Sequence, residues 1–464
     1  MILELQRDSG VSLARQIYLV LRDKMLEGSL KEGEALLSTR EMAKQLAVSR
    51  NTVSEAYEML SAEGYILSRQ GAPTRVANGL QLEKTRSSLE REKVNTPAYE
   101  CLADFRTGQP DLRRFPKQLW LQLVYKAAVN SATEEWGYST PQGLLALREE
   151  ISAWLLRSRG IKTYPEDIFI TAGATQALHL LTYLIAGRGR EILVEDPCHT
   201  GMRRVLEQQG FAIRPVLVDE QGIQTHHLNG EDICAAYVTP SHQFPLGGIL
   251  PADRRAALLR FARKKEIYVI EDDYDSEFRY GGLPVAPLYS MDQEWVIYVG
   301  TFSKILFPAL RIGYVILPRE LHARWKYLRM HADVQNPPFE QVALAEYMQT
   351  RKFDRHIQKM RRLYGQRRNI LLASLRQEFG EEWRVWGEAA GLHLAFEFPG
   401  KCFDRQFMLH ARNHGLLVTP VEYHSIQKGV HQDKLLLGYG HLESEQIRNG
   451  IQLLNEFMVQ YKPI

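Results

Sequence analysis

Lys304 stands in the run TFSKILFPALRIGY, directly after a strand-like apolar segment, with Thr301 and Ser303 just before it and Arg311 seven residues beyond. A lysine amine can condense with a carbonyl carbon, and hydroxyls combined with a guanidinium make a cradle for a phosphate. Asp272 closes the apolar part of IYVIEDDYDSEFRY, and Tyr274 follows it by two residues. Strand ends in open α/β sheets are where ligands are met. Gly173-Ala174-Thr175 ends the strand-like DIFITAG and begins a helix. Its backbone N–H groups and the Thr175 hydroxyl can therefore bind phosphate at the positive end of that helix. A lysine for a Schiff base, a carboxylate that keeps a pyridine nitrogen protonated and a phosphate cradle are what pyridoxal phosphate chemistry requires. Tyr274 would then reach that cofactor's phenolic oxygen. Each piece alone has a plainer explanation, a solvated surface lysine or an aspartate in a turn, and it is their joint order that carries the reading.

The elements that must position these residues follow from periodicity. From Asp104 onward, strand-like runs (DIFITAG, REILVED, AAYVTP, IYVIEDD, VIYVGTF) alternate with helical stretches, the pattern of a mainly parallel sheet covered by helices. An α/β domain is expected over residues 104–464. Residues 79–103 are rich in mixed charge and carry no sustained apolar stripe, which predicts a linker. Residues 1–78 read differently. Leu13, Ile17, Val20, Leu21 and Met25 share one face of a first helix that Gly28 ends. Ser38 and Glu41 are spaced as a capping box for a second helix, TREMAKQLA. In a third, Val53, Ala56, Tyr57 and Leu60 form the inward stripe and leave Ser49, Arg50, Asn51 and Thr52 at the exposed N-terminal end. YILSRQGAPTRVA then reads as two short strands around a glycine-containing turn. The whole is an α+β multidomain chain.

Polar residues at the start of a third helix are what a groove-reading helix needs, because arginine reaches guanine edges and hydroxyls hold phosphates. Arg40, Ser49, Arg50, Asn51 and Thr52 are the candidate contacts to double-stranded DNA; the alternative is a three-helix bundle with a solvated polar face. The net charge of +3 in 464 residues is too small to decide between them. An apolar fraction of 45% with 24% charged residues and 20 prolines fits a folded globular chain. The N-terminal MILELQRDSGVSLARQ has no continuous apolar stretch, so neither signal peptide nor membrane anchor is expected and the protein is placed in the cytoplasm. Cys101, Cys198, Cys234 and Cys402 lie far apart without metal-ligand spacing, so reduced thiols and no metal site are expected.

The run STREMAKQLAVSRNTVSEAYEMLSAEGYILSRQGAPTRVA resembles the winged helix-turn-helix of the GntR family. Gly71 would make the wing's turn and belongs to the implied DNA contacts, while Ala72-Pro73 departs from the more flexible Ser-Gly pair of many relatives. In chain order, DFRTGQPDLRRFP, WGYSTPQGLLALREEI, ITAGATQAL, VEDPCHTG, YVTPSHQFPLGG, IEDDYDSEFRY and VGTFSKILFPALRIGY resemble fold-type I aminotransferases, specifically the MocR subfamily of GntR regulators. The resemblance implies that Lys304 is the Schiff-base lysine, Asp272 the partner of the pyridine nitrogen and Tyr274 that of the cofactor hydroxyl. Ala174, Thr175, Thr301, Ser303 and Arg311 would cradle the phosphate. Tyr138 would reach the phosphate of a neighbouring subunit, which implies a head-to-tail homodimer. Asp196-Pro197-Cys198-His199 stands where many relatives carry a stacking aromatic, so either His199, counted here with the cofactor residues, stacks on the ring or the ring is held differently. In KLLLGYGHL, Leu436 occupies the place of the arginine that binds a substrate carboxylate, with Lys434 or a histidine as a substitute. The expected function is a pyridoxal phosphate-dependent transcription regulator with no catalytic residues assigned. It senses pyridoxal phosphate itself or an amine without the usual α-carboxylate, and it controls genes of vitamin B6 or amino-compound metabolism. The alternative is a working aminotransferase with an accessory DNA-binding domain, since Lys304 could serve as a general base.

Overall fold

The computed structural model describes residues 5–69, 72–80, 101–281, 285–387 and 389–461. The chain divides into two compact units, Met1–Thr96 and Pro97–Ile464.

In the first unit, helix α1 spans Leu13–Leu26, its N–H groups capped by Ser12, whose side chain accepts from Arg15 N. Its buried face is Ala14, Ile17, Tyr18, Leu21 and Met25. Leu13 and Val20, expected on that face, are only half-buried. Tyr18 is buried on that face, its hydroxyl donating to Glu63 at 2.5 Å. Helix α2, Thr39–Leu46, begins with the expected capping box: Ser38 Oγ accepts from Glu41 N at 3.2 Å and the Glu41 carboxylate accepts from Ser38 N at 3.1 Å. Ala47, in the left-handed conformation at φ 50°, ends it. Helix α3, Arg50–Ala62, buries Val53, Ala56, Tyr57 and Leu60 as its spacing predicts. Strands Ile66–Leu67 and Arg75–Val76 pair antiparallel, and Ala35 bridges to Arg75 as a third edge that periodicity does not signal. Gly71, assigned to the turn of the wing, lies outside the described residues.

The second unit is built on an eight-stranded sheet. From one edge its strands are Ile168–Thr171, Gly313–Ile316, Val296–Thr301, Tyr268–Asp273, Ile233–Val238, Glu191–Asp196, Ala212–Asp219 and Gly222–Ile223. Gly313–Ile316 and Gly222–Ile223 run antiparallel to their neighbours and the remaining pairs are parallel. All five expected strands are present, and they are apolar on both sides because helices cover both faces. Along Val296–Thr301, Val296 and Tyr298 pack into one apolar cluster and Ile297 and Val299 into another. A second, antiparallel sheet (Arg384–Trp386, His393–Glu397, Lys434–Gly438, Thr419–Pro420) follows the 28-residue helix Lys352–Phe379 and has its own core. The linker boundary at 103 is corrected here. Ala103–Asp104 is a strand paired with Leu416–Leu417, and Ala103 is buried, so the second unit begins before the boundary read from charge composition. Residues 81–100 lie outside the described residues.

Candidate functional site

The parallel strands end on one edge of the sheet, in register: Asp272 pairs with Val299 and Asp273 with Gly300, just before Thr301. A cavity of about 260 Å³ opens there. Its walls include nine of the ten residues assigned to a cofactor: Lys304, Asp272, Tyr274, Ala174, Thr175, Thr301, Ser303, Arg311 and His199. Tyr138 is not among them; it is 89% exposed.

The Lys304 amine donates to the Gly108 carbonyl at 2.8 Å. Burial lowers its pKa, opposed by the nearby Asp275 and Asp272 carboxylates. Gly108 sits at φ +70°, and a Cβ there would lie 2.7 Å from the lysine nitrogen, so the close approach needs a glycine. One oxygen of Asp272, Oδ2, accepts from the Tyr237 hydroxyl at 2.7 Å. The other, Oδ1, is buried with no hydrogen-bond partner among the described residues. Burial pushes this carboxyl up to about 6, the Tyr237 hydrogen bond holding it down. Tyr274 OH lies 3.1 Å from His242 Nδ1, which is itself 2.7 Å from Asp275 Oδ1.

The phosphate-type features also converge. The helix Ala174–Ile185 starts at Gly173, φ +84°, with no side chain capping its first N–H groups. Uncapped N–H groups at a helix start are an anion site in waiting. The Arg311 guanidinium covers this start: a Cβ on Gly173 would lie 3.0 Å from it. Arg311 holds a left-handed backbone, φ 49°, a strained conformation for a side chain of this type. Thr301 Oγ1 accepts from Ser303 N at 3.2 Å, which turns both hydroxyls to the same wall.

His199 serves two roles. Its Nδ1 caps the helix Thr200–Gln208 by accepting from Met202 N at 3.3 Å, and its ring lies 5.1 Å from that of Phe244. Burial pushes its pKa down to about 4, as it does for His393 on the adjoining wall. Leu436 is fully buried on the strand facing Ala395 and Thr419. Lys434, the expected substitute for a carboxylate-binding arginine, does not line the cavity. It pairs with Asp433 at 2.8 Å and Glu397 at 3.6 Å and lies over the Trp386 ring. Of the histidines, His393 does reach the cavity wall, neutral rather than cationic. Sequence reasoning misses eight lining residues of this site, Tyr237, Gly108, Phe244 and His393 among them. Tyr237 and Gly108 lie inside the motifs AAYVTP and DFRTGQP, where only a ligand-facing geometry distinguishes them from core residues.

In the first unit, Arg40, Ser49, Arg50 and Asn51 are exposed and Thr52 is half-buried. Ser49 Oγ accepts from Thr52 N at 3.1 Å and lies 2.8 Å from Thr52 Oγ1, so these two hydroxyls are engaged in capping α3. Arg50 Nε reaches Thr39 Oγ1 at 3.4 Å, across the turn between the two helices. Arg40 and Asn51 are exposed, and their side chains make no hydrogen bond among the described residues.

A mainly parallel sheet with a lysine, an aspartate and an uncapped helix start at one edge defines an aminotransferase-like protein, joined here to a winged helix-turn-helix. Residues 104–452 match the family "Aminotransferase class I and II" and residues 13–76 the family "Bacterial regulatory proteins, gntR family". The chain belongs to both families, in the combination of the MocR subfamily of regulators. It is 34% identical to the uncharacterized HTH-type transcriptional regulator YdeL of Bacillus subtilis, covering 97% of each chain. It is 31% identical to the probable rhizopine catabolism regulatory protein MocR of Rhizobium meliloti, covering 97% of this chain and 95% of the relative. To the HTH-type pyridoxine biosynthesis transcriptional regulator PdxR of Corynebacterium glutamicum it is 35% identical, over 78% of this chain and 79% of the relative. Among solved structures, the kynurenine aminotransferase of Pyrococcus horikoshii superimposes with a TM-score of 0.71 at 25% identity, over 78% of this chain and 91% of that one. The protein is thus a DNA-binding regulator with an aminotransferase-like domain. Among the described residues, no helix is long and apolar enough to cross a membrane.

Proposed function

We propose that the second unit binds pyridoxal 5′-phosphate and that DNA binding by the first responds to pyridoxal phosphate or to an amino compound. One observation carries this reading: Asp272 Oδ1, buried and unpartnered, lines the same small cavity as the Lys304 amine. A buried acceptor without a donor is costly, and a protonated pyridine nitrogen is the donor this cofactor would bring. Lys304 would hold its aldehyde carbon, Tyr274 its phenolic oxygen, and the helix start at Ala174 and Thr175 its phosphate, with Thr301, Ser303 and Arg311. His199 would lie against its ring. When bound, the cofactor supplies an electrophilic carbon that captures amines.

The protein's own side chains narrow the effector. Leu436 and the neutral His393 and His199 offer no cation for an α-carboxylate. This favours pyridoxal phosphate itself, or an amine lacking that group, over common amino acids. The exposed Tyr138 is suited to reach the phosphate cradle of a second copy in a head-to-tail homodimer. Its targets would be genes of vitamin B6 or amino-compound metabolism, in the cytoplasm; the relative PdxR is named for pyridoxine biosynthesis. Residual transamination is a second reading, favoured by the lowered pKa of Lys304, which leaves more of its amine unprotonated and free to accept a proton.

The test is an absorbance spectrum between about 300 and 500 nm, with Lys304→Ala alongside. A visible band that disappears in the variant is expected. A colourless protein that cannot be reconstituted would reduce the second unit to a scaffold. Calorimetric titration of the cofactor-loaded protein with amino acids tests the effector class, and tight binding of a common amino acid would exclude it.

A further inference from the structure

Away from Lys304, a second cavity of about 330 Å³ lies between the end of the helix Leu145–Arg159, the segment Ser276–Arg279 and the first turns of the helix Lys352–Phe379. It shares no lining residue with the first. Polar groups without partners are concentrated in its walls: Arg159 Nε, Ser276 Oγ, Glu277 Oε2, Arg279 Nε and Asp354 Oδ2 are all buried with no hydrogen-bond partner among the described residues. Arg159, Ser276 and Glu277 are each more than nine-tenths buried, so these are not surface groups left to bulk water. Buried polar atoms are nearly always satisfied, and the donors in this set, Arg159 Nε, Arg279 Nε and Ser276 Oγ, mark a place where an acceptor ligand completes their bonding.

The charges say which ligand. Arg159 is spoken for by Asp273, and Arg157 lies 3.7 Å from Asp354. Arg279 and Arg361 have no ion-pair partner among the described residues, although Arg361 Nε donates to the Glu277 carbonyl at 2.8 Å, which fixes its guanidinium at the rim. Burial pushes the Glu277 carboxyl up, which favours its protonated, donating form. Two uncompensated guanidinium groups, a serine hydroxyl and inward N–H donors match the oxygens of a small dianion. We infer that this cavity is a second ligand site, separate from the one at Lys304, for a small dianionic oxyanion such as a phosphate monoester or a dicarboxylate.

Isothermal titration calorimetry on the full-length protein, at constant ionic strength in chloride, would use inorganic phosphate and succinate as probes. Saturable binding of at least one is expected, weakened about tenfold or more by Arg279→Gln and by Arg361→Gln. Arg311→Gln, which removes the guanidinium from the other cavity, should leave that affinity within about twofold. Arg361 is exposed, so its variant tests the site without disturbing the core. Phosphate binding alone would name phosphate esters, and succinate binding alone dicarboxylates; both support the site. No saturable binding of either anion, or a loss in Arg311→Gln with none in Arg361→Gln, overturns it.

Discussion

The Tyr237 hydroxyl donates to Oδ2 of Asp272 at 2.7 Å, and this single bond orients the carboxylate so that Oδ1 is the oxygen left without a partner. Both residues sit on neighbouring parallel strands, Ile233–Val238 and Tyr268–Asp273, so the sheet register sets the geometry. In Tyr237→Phe the carboxyl loses a donor that lowers its pKa and rises above about 6, becoming more protonated near neutral pH. A hydrogen bond to a charged group contributes about 1.5–3 kcal/mol, so pyridoxal phosphate affinity should fall about ten- to a hundredfold in an absorbance titration. Unchanged affinity would mean that the tyrosine does not set the carboxylate.

Gly108→Ala tests the seat of the lysine. The substitution combines a left-handed φ of +70° with a Cβ 2.7 Å from Lys304 Nζ, so the amine must move. The backbone penalty is only about 1–2 kcal/mol, which a domain of this size should survive. The expected outcome is a near-native melting temperature with a weakened or shifted visible band; an unaltered spectrum would count against the assignment of Lys304.

The two kinds of residue at the start of α3 should separate by experiment. Ser49→Ala removes the cap to Thr52 N and should cost about 1 kcal/mol of stability, read as a lower melting temperature of the first unit. Asn51→Ala should leave melting unchanged and cost about 1–3 kcal/mol of discrimination between operator and mutated operator. Arg40→Ala should weaken binding to all sequences and lower the salt slope by about 1. Equal melting shifts for Ser49→Ala and Asn51→Ala would contradict this division.

His424 should make the second unit acid-sensitive. It is 7% exposed, and burial pushes its pKa down to about 3. The unfolded chain takes up a proton below about 6.5 while the folded site stays neutral, so this contribution is present above about 6.5 and is lost as pH falls toward the folded value. Between pH 7 and pH 5 the loss is about 2 kcal/mol. In His424→Gln, denaturant unfolding at the two pH values should differ by about that much less than in the parent. An identical pH dependence would mean that the histidine titrates normally in the folded protein.

Much of the fold is legible in the amino-acid sequence. The capping box at Ser38 and Glu41, the buried stripe of α3 and the five central strands follow from short-range periodicity, and each is present. Where local pattern misleads, a longer-range partner decides. The first helix buries Tyr18, whose hydroxyl donates to Glu63, 45 residues away, and leaves Val20 and Leu13 half-buried. Ala103 looks like the end of a charged linker because its partner strand, Leu416–Leu417, is more than 300 residues downstream.

The site divides in the same way. Sequence alone determined which residue types could serve a phosphate, a pyridine nitrogen and an amine, because Lys304, Asp272 and Gly173–Thr175 stand at strand ends and a helix start in a joint order that none of them carries alone. Only the tertiary structure decided that they meet in one cavity, that Tyr237 leaves one Asp272 oxygen unpartnered and that Lys434 is consumed by Glu397 and Asp433. The physical reason is range. Helix and strand patterns are set by neighbours a few residues apart, whereas hydrogen-bond satisfaction and burial depend on residues that only the folded sheet brings together.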